Sequence, residues 1–421
     1  MSSERKSSGA LIPERRFPGF EGSWAYEPLS RVLREHKVKN AAGRDVFSVS
    51  MESGIVNQIE HLGRSFAAAD TSHYNVGHRF DVVYTKSPLK AFPFGIVKQS
   101  KVPGEVALSP LYGVFTPKNS HLGLMIEAYF ESPERAQAFL SPLCQKGAKN
   151  TLQITNATFL SGRLPLPEEE DEQEKIAQCL DSVDALIAAQ GRKVEALKAH
   201  KKGLLQQLFP REGETQPRLR FPEFKGAGPW EEVRLESLGC LVSGLTYSPD
   251  DVRDEGLLVL RSSNIQDGKI DLADCVYVDP NIRGANLSLP DDILVCVRNG
   301  STALIGKAAL IPDRMPLCTH GAFMTVFRSH APRFVFQLFQ TARYRKQVAG
   351  DLGATINSIN GAQFLLYRFF VPKPPEQQRI ADCLTSLDDL IAAEARKLGT
   401  LKTHKKGLMQ QLFPKARTAD A

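Results

Sequence analysis

Long apolar runs are missing from this 421-residue chain. No segment comes near the roughly 18 uninterrupted apolar residues of a membrane span, which excludes a transmembrane protein. The first residues, MSSERKSSGALIPERRF, carry charges with no apolar core behind them, so no secretory signal is read and a cytoplasmic location is expected. Cysteine is scarce: seven residues, an odd number with no C-x-x-C spacing, argue against a disulfide framework and a structural zinc site. Buried thiols and no bound metal are expected. Tryptophan occurs only twice, and the net charge is only +6, too small to establish a polyanionic partner by itself.

Catalytic motifs are equally absent. There is no G-x-S-x-G, H-E-x-x-H or G-x-G-x-x-G, and no Asn-Pro-Pro-aromatic or Asp-Pro-Pro-aromatic element of an amino-methyltransferase. Gly300–Lys307, GSTALIGK, approaches a phosphate-binding P-loop but has five residues between its glycines instead of four. Ala308 also stands where Ser or Thr must hold magnesium. No chemistry and no cofactor are therefore expected of this chain.

What the chain does have is an internal repeat. Glu172–Pro210, EQEKIAQCLDSVDALIAAQGRKVEALKAHKKGLLQQLFP, recurs 204 residues later at Glu376–Pro414 with 26 of 39 positions identical and no gap. A shorter echo at the same offset matches Phe17–Gly22 (FPGFEG) to Phe221–Gly226 (FPEFKG), and Trp24 pairs with Trp230 after a two-residue insertion. The intervening blocks, near 28–164 and 235–371, are of similar length but do not resemble each other. A repeated frame with different inserts suits two halves that are held alike and contact two different things. The length, two or three times that of an ordinary domain, agrees with such a division.

The repeat reads as a coiled-coil helix. Ile176, Leu180, Val183, Ile187, Gln190, Val194, Leu197, Lys201, Leu204 and Leu208 follow a 4-3-4-3 spacing. Ile380, Leu384, Leu387, Ile391, Glu394, Leu398, Leu401, Lys405, Leu408 and Leu412 keep the same register. About 37 helical residues span roughly 55 Å. The first helix is acidic up to Gln190 (net −3) and basic after it (+4); the second runs from −4 to +5 about Glu394. Antiparallel pairing sets each acidic half on a basic one, although acids near N-termini and bases near C-termini also suit the helix dipole. If the polar seam positions form layers, Glu394 faces Lys201 and Gln190 faces Lys405. Gly203 and Gly407 cost a helix about 1 kcal/mol each, to be explained by close packing or local fraying.

The first insert alternates short apolar runs with turn signals and is read as β-rich, with one amphipathic helix over Glu131–Cys144. It is basic, with five of the nine histidines and with Lys86, Lys90, Lys98, Lys101 and Lys118 among aromatics. These lysines suit either phosphate contacts or a solvated face. The second insert is acidic over Asp250–Asp292 (net −6) and basic over Ile293–Pro372 (+7). Arg298, Lys307, Arg343, Arg345 and Lys346 lie in the basic part, the last three on a helix expected over Arg333–Ala349, and they too suit phosphate or solvent.

These features resemble the specificity (S) subunit of type I restriction–modification systems over nearly the whole chain. The resemblance rests on the doubled Glu172-Gln173 and Ile176-Ala177 helix starts, repeated at Glu376-Gln377 and Ile380-Ala381, the HKKGL-QQLFP helix ends, and the doubled FP-F-G-W segments. Gly244-Leu245-Thr246-Tyr247, Leu260–Ile265, Asn299-Gly300-Ser301 and Ile305-Gly306-Lys307 are similar to segments of the family's target-recognition domains, as are Asp81–Tyr84 and Ser109–Tyr112. Asp291-Asp292-Ile293-Leu294 departs from the family's usual Gly-Asp at that turn.

The resemblance implies an α+β architecture of two mixed, β-rich target-recognition domains separated by a pair of long antiparallel coiled-coil helices, with a pseudo-twofold internal repeat. The expected divisions are a flexible N-terminus (1–13), target-recognition domain 1 (14–165), the central helix (166–215), target-recognition domain 2 (216–372), the C-terminal helix (373–414) and a tail (415–421). Double-stranded DNA is the implied ligand, with two methyltransferase (M) and two restriction (R) subunits as partners. S-adenosylmethionine, ATP and magnesium would belong to those partners. The DNA-contact candidates are Lys86, Lys98, Lys101, Thr246, Tyr247, Arg261, Asn264, Arg298, Asn299, Ser301, Lys307, Arg343 and Arg345. Two other readings remain: an orphan or regulatory DNA-binding protein, and a protein-only scaffold.

Overall fold

Runs of four apolar or mixed residues such as Val82–Thr85, Leu257–Leu260 and Ile293–Cys296 are buried at every position, the mark of strands covered on both faces. The computed structural model describes residues 10–146, 152–352 and 357–415. Most of the N-terminal arm and tail assigned from the sequence lies outside these residues. The chain forms two compact units, one reaching Gly191 and taking in the chain from Arg396 onward, the other Arg192–Ala395.

In the first unit the strands are β1 (Ala25–Pro28), β2 (Leu33–Glu35), β3 (Val46–Ser50), β4 (Gly54–Asn57), β5 (Asn75–Gly77), β6 (Val82–Thr85), β7 (Ile96–Gln99), β8 (Val106–Leu108), β9 (Gly113–Pro117), the hairpin β10 (Gln145–Lys146) and β11 (Leu152–Gln153), and β12 (Arg163–Leu166). They build sheets of order β2-β9-β6-β7 and β4-β3-β8-β5 and a β1-β12 ribbon; β3 and β8 run parallel. The helices are α1 (Gln58–Leu62), α2 (Ser120–Phe130), α3 (Pro133–Leu140), α4 (Asn156–Ser161) and the long α5 (Glu170–Leu208). The single helix expected over Glu131–Cys144 is thus shorter. Pro133 opens α3 with Ser132 as N-cap, and Glu131 instead closes α2.

The second unit has β13 (Glu231–Arg234), β14 (Gly239–Ser243), β15 (Val252–Arg253), β16 (Leu257–Leu260), the hairpin β17 (Ile265–Gln266) and β18 (Lys269–Ile270), β19 (Tyr277–Val278), β20 (Ile293–Cys296), β21 (Ala308–Leu310), β22 (Cys318–His320), β23 (Met324–Ser329) and β24 (Arg368–Val371). Its sheets have order β14-β23-β20-β21 and β15-β19-β16-β22, with a β13-β24 ribbon and a parallel β16–β22 pair. Its helices are α6 (Pro332–Leu338), α7 (Ala342–Asp351), α8 (Gly361–Leu365) and α9 (Pro374–Leu412). The helix expected over Arg333–Ala349 is broken at Phe339–Thr341, where the Thr341 hydroxyl caps α7 by accepting from Tyr344 N. The near-P-loop leads into strand β21, not the helix a P-loop requires.

Strand by strand the two units share one plan. β2, β9, β6 and β7 correspond in order and direction to β14, β23, β20 and β21, and β4-β3-β8 corresponds to β19-β16-β22. The fourth strand of the second sheet differs, β5 lying beside β8 and β15 beside β19. Inserts without sequence likeness therefore fold alike.

The repeated frame has a physical reason. Arg16 donates two hydrogen bonds to Glu172 (2.7 and 2.8 Å) and a third to Gly22 O, tying the lead-in segment to the first turn of α5. Arg220 does the same with Glu376 (2.9 and 2.5 Å) and with Ala227 O and Gly228 O. Both carboxylates are buried, and the bidentate geometry makes these strong, directional contacts. Gln173 and Gln377 each donate 2.8 Å hydrogen bonds to the carbonyls of Pro167 and Pro372. Trp24 meets Phe413 edge-on at 6.0 Å, and Trp230 meets Phe209 in the same way at 6.1 Å.

The helices pair antiparallel within each unit. Ile176 and Leu180 of α5 share a core with Met409, Leu412 and Phe413. Leu205, Leu208 and Phe209 share the other with Ile380, Ala381 and Leu384. Every seam position read from the sequence is buried or half-buried. Toward their C-terminal ends Leu205 and Met409 are more deeply covered than the seam residues Leu204 and Leu408, because the buried face widens against the adjoining domain. The polar layers differ from expectation. Lys201 donates to both Asp388 oxygens (2.7 Å) and to Gln340, while Lys405 pairs with Asp184 (2.7 Å) and Glu131 (2.5 Å). Glu394 pairs with Lys193 at 2.6 Å instead of Lys201. A lysine's reach of four methylenes lets it choose a carboxylate off the seam, which the heptad register does not reveal. Asp184 and Asp388, like Lys201 and Lys405, are 204 residues apart.

Candidate nucleic-acid interface

In the second unit three loops converge on the Gly321–Phe323 turn. Leu245 N donates to His320 O (2.7 Å) and Ala322 N to Leu245 O (2.8 Å), holding Thr246 and Tyr247 beside the turn. A Cβ on Gly244 would lie 2.2 Å from Gly321 O, so only glycine permits this approach. Gly321 N donates to Leu260 O at the start of the Arg261–Asn264 loop, and the amides of Val297 and Arg298 both donate to Phe323 O. Asn299 joins two of the loops by donating to Ser262 Oγ at 3.0 Å, and its own Oδ1 accepts from Ser301 N.

Within this cluster Thr246, Arg298 and Ser301 are exposed, and the Arg298 guanidinium lies 5.9 Å from the ring centre of Phe323, itself 58% exposed. Small hydroxyls, one arginine and one exposed ring are groups that meet phosphates and base edges. Phe323 was missed by the sequence reading because exposure of one phenylalanine has no periodic signature. Asn264 does not belong to the exposed set. It is fully buried, its Oδ1 accepting from Arg261 N (2.8 Å) and its amide donating to the carbonyls of Asp271 and Asp274 (2.9 Å each). Its polar atoms are spent on the turn. Arg261 is half-buried and paired with Asp274 at 2.8 Å.

A second basic group sits on and near α7. Arg345 and Lys307 are exposed and line one cavity. Arg343 is engaged, its guanidinium 4.5 Å from the Phe370 ring centre and 3.8 Å from Glu232, and Lys346 is paired with Glu212.

In the first unit Lys86 and Lys101 are exposed; desolvation lowers the Lys86 pKa, only partly offset by Glu35, and Lys101 lies 3.7 Å from Asp181 of α5. Lys98, expected on the surface, is buried between Glu131 (2.9 Å) and Glu127 (3.3 Å). Burial alone would lower its pKa, but the two carboxylates outweigh that and hold it above the usual lysine value. Burial raises Glu127, whereas Glu131, half-buried and touched by both Lys98 and Lys405, is held below the usual carboxylate range. Lys98 is a strut between β7, α2 and, through Glu131, α9. Strand alternation does not reveal this because β7 is covered on both faces.

The type I restriction modification DNA specificity domain model matches residues 81–199 and 228–403. The chain belongs to this family of specificity subunits. It is 30% identical over 168 residues to the type I restriction enzyme StySPI specificity subunit of Salmonella potsdam and, over an equal length, to the EcoKI specificity subunit of Escherichia coli K12. Each match spans 38% of this specificity-subunit chain and 36% of the relative. In fold, the type I S subunit from M. genitalium aligns over 96% of this chain and 100% of its own with a TM-score of 0.61 at 12% identity. No helix among the described residues is long and apolar enough to cross a membrane.

Proposed function

We propose that this specificity subunit recognises DNA for a type I restriction–modification complex, each β-rich domain reading one half of a bipartite, asymmetric site. The observation that carries this reading is the pairing of one strand plan with two unrelated sequences, each clamped to its helix by the same Arg–Glu contact. A common frame presenting different loops is what two different half-sites require. In the second domain the reading surface is the loop cluster bearing Thr246, Arg298, Ser301 and Phe323, with Lys307 and Arg345 as phosphate contacts. In the first, Lys86 and Lys101 take the phosphate role.

The long helices set the spacer between half-sites and dock the methyltransferase subunits. Such docking would fall on the exposed faces of α5 and α9, where Leu186 and Leu390, 204 residues apart, are 57% and 42% exposed. Two methyltransferase and two restriction subunits complete the assembly. Adenine methylation and ATP-dependent cleavage belong to them, in keeping with a chain whose motifs supply no nucleophile or nucleotide loop.

The test is to map adenine methylation across a genome by single-molecule sequencing in cells with the methyltransferase partner, with and without this chain. A bipartite motif that depends on the chain is expected. No motif, although both proteins are made and associate, would favour the orphan DNA-binding reading. Absence of salt-dependent DNA binding as well would leave only a scaffold.

A further inference from the structure

Two histidines and an aspartate of the first domain meet between its two sheets. His36 follows β2, its amide donating to Val114 O; His78 follows β5; Asp81 precedes β6. Asp81 is 2% exposed, and its Oδ2 lies 2.8 Å from His36 Nε2, 3.1 Å from His78 Nδ1 and 2.7 Å from the His78 amide, which donates to it. Its other oxygen accepts from the Thr116 hydroxyl at 3.2 Å. Three donor atoms, one from each residue, lie within 4.8 Å of one another.

Hydrogen bonding alone fits this group poorly. Two rings and an amide converge on one carboxylate oxygen while the other oxygen receives a single hydroxyl. A neutral imidazole has one N–H. If His78 uses it on Asp81, its Nε2 lone pair faces Glu105 Oε1 at 3.3 Å, a repulsive contact. His36 Nδ1 is buried without a hydrogen-bond partner among the described residues.

We infer that His36 Nε2, His78 Nδ1 and Asp81 Oδ2 form a site for a divalent first-row cation, with Zn2+ as the best match. Two imidazoles and one carboxylate are a borderline donor set of the kind zinc takes. The cation replaces two ring N–H groups on the crowded oxygen. His78 then carries its proton on Nε2 and donates it to Glu105, which Arg44 Nε fixes from the far side at 2.7 Å. Thr116 and the His78 amide keep the carboxylate oriented. Zinc bonds of 2.0–2.2 Å in a tetrahedron put donors about 3.4 Å apart, so the 2.8 and 3.1 Å separations open by roughly 0.6 and 0.3 Å, while the two ring nitrogens lie no more than 4.8 Å apart. The His78 side chain is 39% exposed, which leaves the fourth position to a water. No cysteine takes part, which is why scanning cysteine spacings does not find the site. Joining β2 and β6 of one sheet to the end of β5 in the other, the metal clamps the core of the recognition domain.

The experiment strips the full-length chain with a chelator and titrates Zn2+ against a chromophoric indicator, with thermal melting in parallel and Co2+ as a spectroscopic probe. The expected result is one zinc per chain, a melting temperature that rises with zinc and falls again with chelator, and Co2+ d–d bands without a thiolate charge-transfer band. His36→Gln and His78→Gln each lose that equivalent, and Glu105→Gln, which keeps all three ligands, weakens it about tenfold. Should the histidine variants fail to fold, Glu105→Gln and the Co2+ spectrum of the unmodified chain still decide. The proposal is overturned by no uptake, by a thiolate band placing the metal on cysteine, or by uptake that folded His36→Gln and His78→Gln leave unchanged. No uptake would mean that hydrogen bonds alone hold the three side chains together.

Discussion

Arg298 is exposed and Asn264 fully buried, and that difference separates their roles. Arg298→Ala removes an exposed cation, so DNA affinity should fall and the salt dependence of binding should shallow by about one counterion, with thermal stability unchanged. Asn264→Ala removes three buried hydrogen bonds and should cost about 2–3 kcal/mol of stability in urea unfolding. Glu131 belongs to the same scale, receiving both Lys98 and Lys405. Its pKa is depressed in the folded state, so its contribution is complete above the ordinary carboxylate range and is lost as pH falls through the depressed value. Glu131→Gln should therefore destabilise the chain by about 2 kcal/mol at neutral pH, with the difference from the parent chain closing in acid. An equal loss at both pH values would show that the charge is not what matters.

At the scale of elements, both long helices run 39 residues without a break, through Gly203 and Gly407. A Cβ at either glycine meets nothing within 4 Å, so close packing within this chain does not explain them. Gly203→Ala and Gly407→Ala should each raise stability by about 1 kcal/mol. If they do so while weakening assembly with the methyltransferase, the glycines serve the docked partner. The helices were legible in the sequence because a 4-3 apolar spacing and a charge reversal persist for ten turns. The short strands were less so. β6, β16 and β20 are recognisable as buried runs, but apolar runs do not say which strand pairs with which, so the common plan of the two domains was invisible. The broken α6–α7 pair was missed because its break depends on a Thr341 cap and no interrupting proline or glycine.

For the whole molecule, the proposal that the helices act as a ruler has a direct consequence. Inserting four residues into each helix lengthens it by about 6 Å, so the non-specific spacer of the methylated motif should grow by about one or two base pairs at roughly 3.4 Å per pair. An active variant whose motif keeps its spacer would exclude the ruler. Exchanging one insert between two such subunits should change one half of the motif and leave the other, because each domain has its own core.

The sequence by itself determined the duplicated frame, the two long helices and the family, and its charge reversal favoured the antiparallel pairing that the packed cores show. These depend on local periodicity, charge and repetition, all of which are properties of order along a chain. Only the tertiary structure decided that Lys98 and Asn264 are interior struts, that Lys201 and Lys405 choose Asp388 and Asp184, that Phe323 reaches the surface, and that His36, His78 and Asp81 share one point. Those outcomes depend on which distant strands lie side by side, and burial and long side-chain reach leave no regular trace in sequence spacing.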